Sequence, residues 1–147
     1  MRPTSRRLFA LGTGLAAAAA VLPAAHAAPP GAPARNKVVF QVSDGDPSKW
    51  NLALNNVRNL QTDLPDDESD IEIVAYGPGI GMLKADSSVA HRIAETLKHG
   101  VKVVACENSM RGQKLVYADM LPDIGYVPSG VVEIVRKQQQ GYAYIRP

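Results

Sequence analysis

Short runs of β-branched and apolar residues alternate along this chain with segments whose apolar residues recur every three or four positions. The runs at residues 37–42, 71–76 and 101–106 predict three strands, and two shorter candidates follow at 125–128 and 142–145. The run at 101–106 is largely apolar, as expected for a central strand covered on both faces. The periodic segments between the runs predict helices.

Polar cap residues and glycines mark the ends of the predicted helices. The caps are Asp46, either Ser87 or Ser88, and Ser129, and the terminating glycines are Gly100 and Gly141. Trp50 lies on the apolar face of the first helix, so we expect it to pack in the core rather than to bind a ligand. Residues 108–120 predict a shorter helical or irregular segment.

Alternation of strands and helices with short connections is the pattern of a parallel sheet between helices, joined by right-handed crossovers. We therefore predict an α/β fold: a single three-layer domain with a mainly parallel sheet of about five strands and helices on both faces. Residues 64–70 are acidic and contain a proline. We interpret them as a solvated loop rather than a metal site, because carboxylates in a row rarely converge.

The first 27 residues have the features of an export signal. Arg6 and Arg7 precede a mild apolar run, and Ala25 and Ala27 occupy the −3 and −1 positions of a cleavage after Ala27, which predicts a twin-arginine signal peptide over residues 1–27. The run is too short and too rich in alanine and glycine for a stable membrane span. A retained membrane anchor is the alternative interpretation.

Residues 28–36 contain three prolines and no apolar period, so they predict a flexible linker that leaves residues 37–147 as the folded domain. We expect a periplasmic protein with no stable membrane span after cleavage. Three of the 16 Lys and Arg residues lie in the signal, so the mature chain is close to neutral. With no basic stripe and few aromatic residues, we expect no nucleic-acid partner.

Ligands of open parallel sheets bind beyond the carboxyl ends of the strands. Three loops are predicted to meet there, at residues 43–46, 77–81 and 106–109. The candidate binding residues in these loops are Ser43, Asp44, Gly77, Gly79, Asn108 and Ser109. Pro78 and the Gly-x-Gly-x-Gly spacing disfavour a dinucleotide site. A tight turn that brings backbone close to a neighbouring loop or subunit is the preferred interpretation of these glycines.

Cys106 is the only cysteine of the chain, so no internal disulfide can form. It ends the third strand just ahead of a predicted helix start, where backbone amides favour a thiolate. We therefore predict that Cys106 is the catalytic residue if the protein performs chemistry; the alternative is a buried, inert thiol. His91 and His99 lie eight residues apart on one predicted helix, and no zinc-like spacing of ligands occurs. The sequence predicts neither a metal site nor a cofactor.

Two motifs resemble those of the DsrE/DsrF-like (YchN-like) proteins: residues 75–83, Ala-Tyr-Gly-Pro-Gly-Ile-Gly-Met-Leu, and residues 103–110, Val-Val-Ala-Cys-Glu-Asn-Ser-Met. The similarity runs from about Lys37 to Pro147. It implies a small α/β fold with a parallel sheet, assembly into trimers or hexamers and, in some members, a cysteine that carries persulfide sulfur in a relay. Cys106 matches the cysteine of the YchN-like branch.

Two functions are consistent with these features. The first is a periplasmic sulfur-handling protein in which Cys106 accepts a sulfane sulfur from a donor protein and passes it to an acceptor protein. The second is a non-catalytic small-ligand-binding or assembly protein in which Cys106 is structural. For either function we expect a homotrimer or homohexamer, because a small sheet has exposed edges and the family resemblance points the same way.

Overall fold

The computed structural model describes residues 36–64 and 68–147. The predicted signal peptide and all but the last residue of the predicted linker lie outside the described residues. Five parallel strands form one sheet in the order β4-β3-β2-β1-β5. The strands are β1 Asn36–Val42, β2 Ser69–Ala75, β3 Lys102–Cys106, β4 Gly125–Val127 and β5 Ala143–Ile145. The prediction of a single α/β domain with about five mainly parallel strands is confirmed.

Within the described ranges, four α-helices and two 3₁₀ helices connect the strands. They are α1 Pro47–Asp63, α2 Ala90–Lys98, α3 Glu107–Gly112 and α4 Gly130–Gln139, with 3₁₀ helices at Gly77–Leu83 and Tyr117–Asp119. The glycine-rich segment after β2 is thus helical rather than a simple tight turn. The irregular segment predicted after β3 divides into α3 and the second 3₁₀ helix. None of the helices in the described ranges has the length and apolar character needed to cross a bilayer.

The order of the strands explains why the helices occupy two layers. The chain advances in one direction from β1 to β4, and right-handed crossovers then place every connection on one face of the sheet. A single large core on this face contains Trp50, Leu54, Ile80, Ile93 and Met110. From β4 the chain returns to the opposite edge, where β5 pairs with β1. The return reverses the direction of travel, so α4 packs on the second face, against Val39 and Val74.

The predicted helix caps differ in what their side chains do. Asp46 caps α1 as predicted, accepting from the Ser48 amide at 2.8 Å. The second helix begins later than predicted, after Val89 at its N-cap position. The Ser87 hydroxyl instead accepts from the Val89 amide at 3.3 Å, in the turn before the helix. Ser129 occupies the N-cap position of α4, but its side chain makes no capping hydrogen bond.

A buried ion pair fixes α4 to the second face of the sheet. Lys137 Nζ lies 2.5 Å from Glu72 Oε2, and both residues are buried. The Lys137 ammonium also lies 4.8 Å from the centre of the Tyr142 ring, on the segment that leads into β5. Burial raises the pKa of Glu72 despite the bond from Lys137. The pair therefore sets where α4 lies along the sheet, because neither charge can leave this position without losing its partner.

The outer surface of α4 is apolar. Val131, Val132 and Val135 are 55%, 44% and 47% exposed, whereas Ile134 packs against the sheet. The apolar side chains of α4 therefore lie on two different sides of the helix. One side completes the core of the domain, and the other presents a stripe of valines to the surface. We call Val131, Val132 and Val135 the valine stripe.

Candidate functional site

Cys106 lies at the point where the connections of two neighbouring strands diverge to opposite faces of the sheet. It is the last residue of β3 and pairs with Val127, the last residue of β4. The chain continues from β3 into α3 on the first face and from β4 into α4 on the second. Open α/β sheets bind their ligands at such a point, because a crevice opens between the two connections. The first turns of both helices flank Cys106.

The surroundings of Cys106 favour its thiolate. Burial alone would raise the pKa of the thiol, but the Ser109 hydroxyl and the amides of Gly130, Ser109 and Asn108 together outweigh burial and hold the pKa below its ordinary value. The Cys106 side chain makes no capping hydrogen bond to α3. A lowered pKa increases the ionised fraction of the thiol, and the thiolate is the nucleophilic form of cysteine.

Ser109 joins the loop after β2 to α3. Its hydroxyl oxygen accepts from the Gly77 amide at 2.7 Å. On the other side of the same glycine, Gln113 Nε2 donates to the Gly77 carbonyl at 2.8 Å. Gly77 has a φ of +55°, a conformation that favours glycine. The structure therefore brings Gly77 and Ser109 into direct contact beside Cys106.

Asn108 connects α3 to the loop that precedes α4. Its backbone amide donates to the Pro128 carbonyl at 3.3 Å, and its side-chain oxygen accepts from the Arg111 guanidinium. The Asn108 amide is thus already committed to Pro128, which leaves Ser109 and Gly130 as the principal donors toward the sulfur. Asn108 serves the site chiefly by holding the first turns of the two helices together.

Ser43 and Asp44 lie at the other end of the predicted crevice, beyond β1. The Asp44 carbonyl accepts from Trp50 Nε1 at 2.7 Å, and its carboxylate lies 3.7 Å from the Arg146 guanidinium at the end of the chain. The Ser43 hydroxyl accepts from Gln41 Nε2 at 3.0 Å. Neither residue is in the immediate surroundings of Cys106. The predicted site residues thus form two groups at the same edge of the sheet.

Gly79 is a packing position. It is buried, its amide donates to the Ser43 carbonyl at 3.2 Å, and a Cβ atom at this position would lie 2.2 Å from the Val42 carbonyl oxygen. The 3₁₀ helix can therefore lie against the end of β1 only because residue 79 has no side chain. This contact agrees with the interpretation of the glycines as a close backbone approach.

Sequence reasoning missed two residues that complete the site. Tyr76 follows β2 next to Cys106 in register and lies between Cys106 and Ser43. Burial, with Tyr144 nearby, raises the pKa of Tyr76, so its hydroxyl is neutral at physiological pH. Gly130 begins α4 and packs on Tyr76. Two features of the sequence could have pointed to these residues. Tyr76 lies within the glycine-rich motif, and Gly130 directly follows the predicted cap residue Ser129.

Grooves elsewhere on the described part of the chain do not include the predicted site residues. One of about 560 Å³ lies between α1 and α2 and includes His91 and His99 in its lining. Another, of about 190 Å³, lies beside α3 and is lined by residues that include Glu107 and Tyr117. The Tyr117 hydroxyl donates to the Glu107 carboxylate, which directs that acid toward Tyr117. Neither groove has Cys106 in its lining.

Comparison with known proteins supports the fold and identifies similar chains. Residues 36–147 match the DsrE/DsrF-like family. The structure of a protein of unknown function from Methanobacterium thermoautotrophicum is 41% identical, with a TM-score of 0.72, over 75% of this chain and 97% of that one. No protein with a curated description gave a significant match.

Two more distant structures share the fold. A conserved protein of unknown function from Bacteroides thetaiotaomicron is 14% identical with a TM-score of 0.63, covering 76% of this chain and 95% of that one. The ychN protein from E. coli is 11% identical with a TM-score of 0.63, covering 76% of this chain and 99% of that one. At these identities the likeness concerns the fold alone.

Proposed function

Because this chain belongs to the DsrE/DsrF-like family, we propose that it handles sulfur through Cys106, which accepts a sulfane sulfur and passes it to a partner thiol. At the level of the family, membership indicates a role related to sulfur relay. The finer proposal concerns this chain: its single cysteine is the sulfur carrier, and its partners are a donor and an acceptor protein.

One observation carries the proposal: the only thiol of the chain lies at the carboxyl edge of the sheet, where the Ser109 hydroxyl and the Gly130 amide favour its ionised form. A lowered pKa matters because the thiolate is the nucleophile in sulfur transfer. A structural cysteine in an apolar core has the opposite tendency, since burial raises its pKa. The local chemistry therefore favours reaction over simple space filling.

The transfer needs no oxidant or cofactor. The Cys106 thiolate attacks the terminal sulfur of a persulfide donor, R–S–SH; a new S–S bond forms, the donor's S–S bond breaks, and R–S⁻ leaves. In the second step an acceptor thiolate attacks the terminal sulfur on Cys106, which is released as a thiolate. Both steps follow the rules of thiol–disulfide exchange, so the pKa values of attacking and leaving sulfurs govern their rates.

The test is the intact mass of the folded protein after incubation with inorganic polysulfide. We expect the gain of one sulfur atom, reversed by a reductant and absent from a Cys106→Ser variant. Because the chain has one cysteine, any thiol-dependent gain is assigned to this residue without mapping. Absence of the gain in folded wild-type protein that still alkylates at Cys106 contradicts sulfur carriage.

A second candidate function rests on the exposure of Cys106, which is only 4%. In this alternative the protein is a small-ligand-binding or assembly module, and the cysteine fills space. Alkylation distinguishes the two candidates. A thiol that reacts in the unfolded protein but not in the folded one supports the structural role.

We propose in addition that the mature protein is periplasmic and forms a homotrimer or homohexamer. The support for export is Arg6 and Arg7 with the site after Ala27. The support for assembly is the valine stripe on α4, together with the two short edge strands β4 and β5. Exposed strand edges and contiguous apolar surface are both commonly covered by assembly.

A further inference from the structure

The first residue of α4 packs more closely on the sheet than any side chain would allow. A Cβ atom at Gly130 would lie 2.9 Å from Tyr76 Cβ, and 3.1 Å and 3.2 Å from ring atoms Cδ1 and Cγ of the same tyrosine. Real Cβ atoms essentially never approach another atom within 3.0 Å. Replacement of this glycine must therefore move the start of α4 or the tyrosine.

The tyrosine under Gly130 is the neighbour of the reactive cysteine. Ala75 pairs with Ala105, so the residues that follow, Tyr76 and Cys106, are adjacent at the edge of the sheet. Side chains alternate between the faces of a sheet, so both project from the second face, which α4 covers. Gly130, Tyr76 and Cys106 thus meet at one point, with contributions from α4, β2 and β3.

We propose that Gly130 is the positioning residue for Cys106: without a side chain, it lets the first turn of α4 rest on Tyr76 and keeps the Gly130 amide beside the sulfur. The inference rests on the proposed role of Cys106 but concerns a different property, the placement of α4. The helix is held at its other end by the buried contact of Lys137 with Glu72. The ion pair in the last turn of α4 therefore resists a movement of the first turn.

The titratable and charged groups near the sulfur do not replace this amide. The titratable neighbour directly after β2 is Tyr76, which is neutral. From α3, the Glu107 carboxylate accepts from Tyr117, and Arg111 donates to Asn108. In α4, the nearest charged residue in sequence is Glu133, which lies 3.8 Å from the Lys137 ammonium. Arg146 is paired with Asp44 beyond β1. The Gly130 amide is the donor that α4 contributes to Cys106.

The experiment measures the rate of alkylation of Cys106 as a function of pH, which gives the thiol pKa without any sulfur donor. We expect Gly130→Ala to raise the apparent pKa by about one unit, a tenfold smaller thiolate fraction below the pKa. Gly112→Ala is the matched control, because a Cβ at Gly112 meets nothing within 4 Å. Circular dichroism verifies that each variant is folded.

A second substitution tests the mechanism. Tyr76→Gly removes all three atoms that a Cβ at residue 130 would meet, so the double variant Gly130→Ala with Tyr76→Gly should have the same apparent pKa as Tyr76→Gly alone. A raised pKa in Gly130→Ala, absent in the double variant, supports the proposal. An unchanged Cys106 pKa in folded Gly130→Ala overturns the proposal. An equal increase in pKa with Tyr76 present and with Tyr76→Gly also overturns it.

If Gly130→Ala does not fold, the comparison moves to the Tyr76→Gly background. There Gly130→Ala keeps the backbone amide, whereas Gly130→Pro removes it at the first helical position, where proline is tolerated. Only the proline variant should raise the pKa, and equal values in the two variants overturn the proposal. If these pKa shifts occur but wild-type protein takes up no sulfur, Gly130 still positions Cys106, and the proposed sulfur transfer fails.

Discussion

The Gly77 amide donates to the Ser109 hydroxyl oxygen at 2.7 Å, and this contact joins the loop after β2 to the first turn of α3. The oxygen accepts from Gly77, so the hydroxyl proton is free to point toward the Cys106 thiolate. Polarisation along such a chain strengthens each hydrogen bond in it. Ser109 therefore has two roles: it fixes the loop, and it stabilises the anion.

We predict that Ser109→Ala raises the pKa of Cys106 by about one to two units, because a hydrogen bond to a charged group contributes about 1.5–3 kcal/mol and one pKa unit corresponds to about 1.4 kcal/mol. Below both pKa values, alkylation should slow by up to about tenfold for each unit of increase, and the difference should vanish at a pH above both pKa values. The measurement is the pH profile of alkylation. Ser129→Ala is the control, since the Ser129 side chain makes no capping bond. Overlapping profiles for Ser109→Ala and wild type would contradict the assignment.

We predict that Gly79→Ala destabilises the domain by about 3 kcal/mol or more, because the new methyl group would lie 2.2 Å from the Val42 carbonyl oxygen. Urea unfolding measures the loss. Gly112→Ala serves as the control: residue 112 ends α3 in open space, and alanine has the higher helix propensity, so its stability should equal or exceed that of wild type. A Gly79→Ala variant as stable as this control would show that β1 and the 3₁₀ helix separate easily.

We predict that Lys137→Met costs about 3–5 kcal/mol of unfolding free energy, because it leaves Glu72 buried without its partner. The double variant Glu72→Met with Lys137→Met should recover most of that loss, since replacing both charges with apolar groups removes the uncompensated charge. Urea unfolding of the two single variants and the double variant gives the coupling energy.

The exposed ion pair of Lys98 and Glu95, at 2.7 Å, supplies the comparison for this prediction. Lys98→Met should cost less than about 1 kcal/mol, as exposed pairs do. If Lys137→Met costs no more than Lys98→Met, the buried pair does not anchor α4.

We predict that Val132→Asp or Val135→Asp lowers the oligomeric mass of the mature protein while its circular dichroism spectrum is retained. Both side chains are about half exposed, so a carboxylate at either position meets water in the monomer but would be buried in an assembly. Light scattering at micromolar concentrations measures the mass. Val116→Asp is the control, because Val116 is 61% exposed outside the valine stripe. A wild-type protein that is itself monomeric would exclude the proposed assembly.

We predict that replacing Arg6 and Arg7 together by lysine keeps the precursor in the cytoplasm. The twin-arginine pathway depends on this pair, and lysine preserves the charge while removing the guanidinium groups. Fractionation and the mass of the product, with or without cleavage after Ala27, are the measurements. Unchanged amounts of mature protein in the periplasm would argue against this type of signal.

The strands could be predicted from sequence because their signals are local. The run of β-branched residues at 101–106 predicts β3 to within one residue of Lys102–Cys106, and the other strands agree to within two. The starts of the helices were harder to predict from the sequence. Ser87 is a good cap residue, but it caps the preceding turn, and Val89 precedes the helix instead. The capacity of a serine to cap a helix does not determine which of two adjacent turns begins it. Burial of Val89 and Ile93 fixes where α2 begins.

The candidate site was predictable only where it coincides with a strand end. Cys106 and Ser109 follow from the end of β3 and the start of a helix. Gly130 and Tyr76 could not be found in this way, because their contact depends on a helix that crosses the sheet after the chain has reversed direction. The helical form of residues 77–83 was missed for a related reason: the position of Gly79 depends on β1, a distant part of the sequence.

The pairing of the last strand with the first has a consequence for biosynthesis. Gln41 and Tyr144, joined by a hydrogen bond between β1 and β5, are 103 residues apart in the chain. Contacts of such separation form late, because a long loop must close before they contribute. Because α4 lies directly before β5, its residues are synthesised after those of α3. The nascent chain therefore has the Ser109 hydroxyl available to Cys106 before the Gly130 amide, so the surroundings of the thiol are completed in two steps.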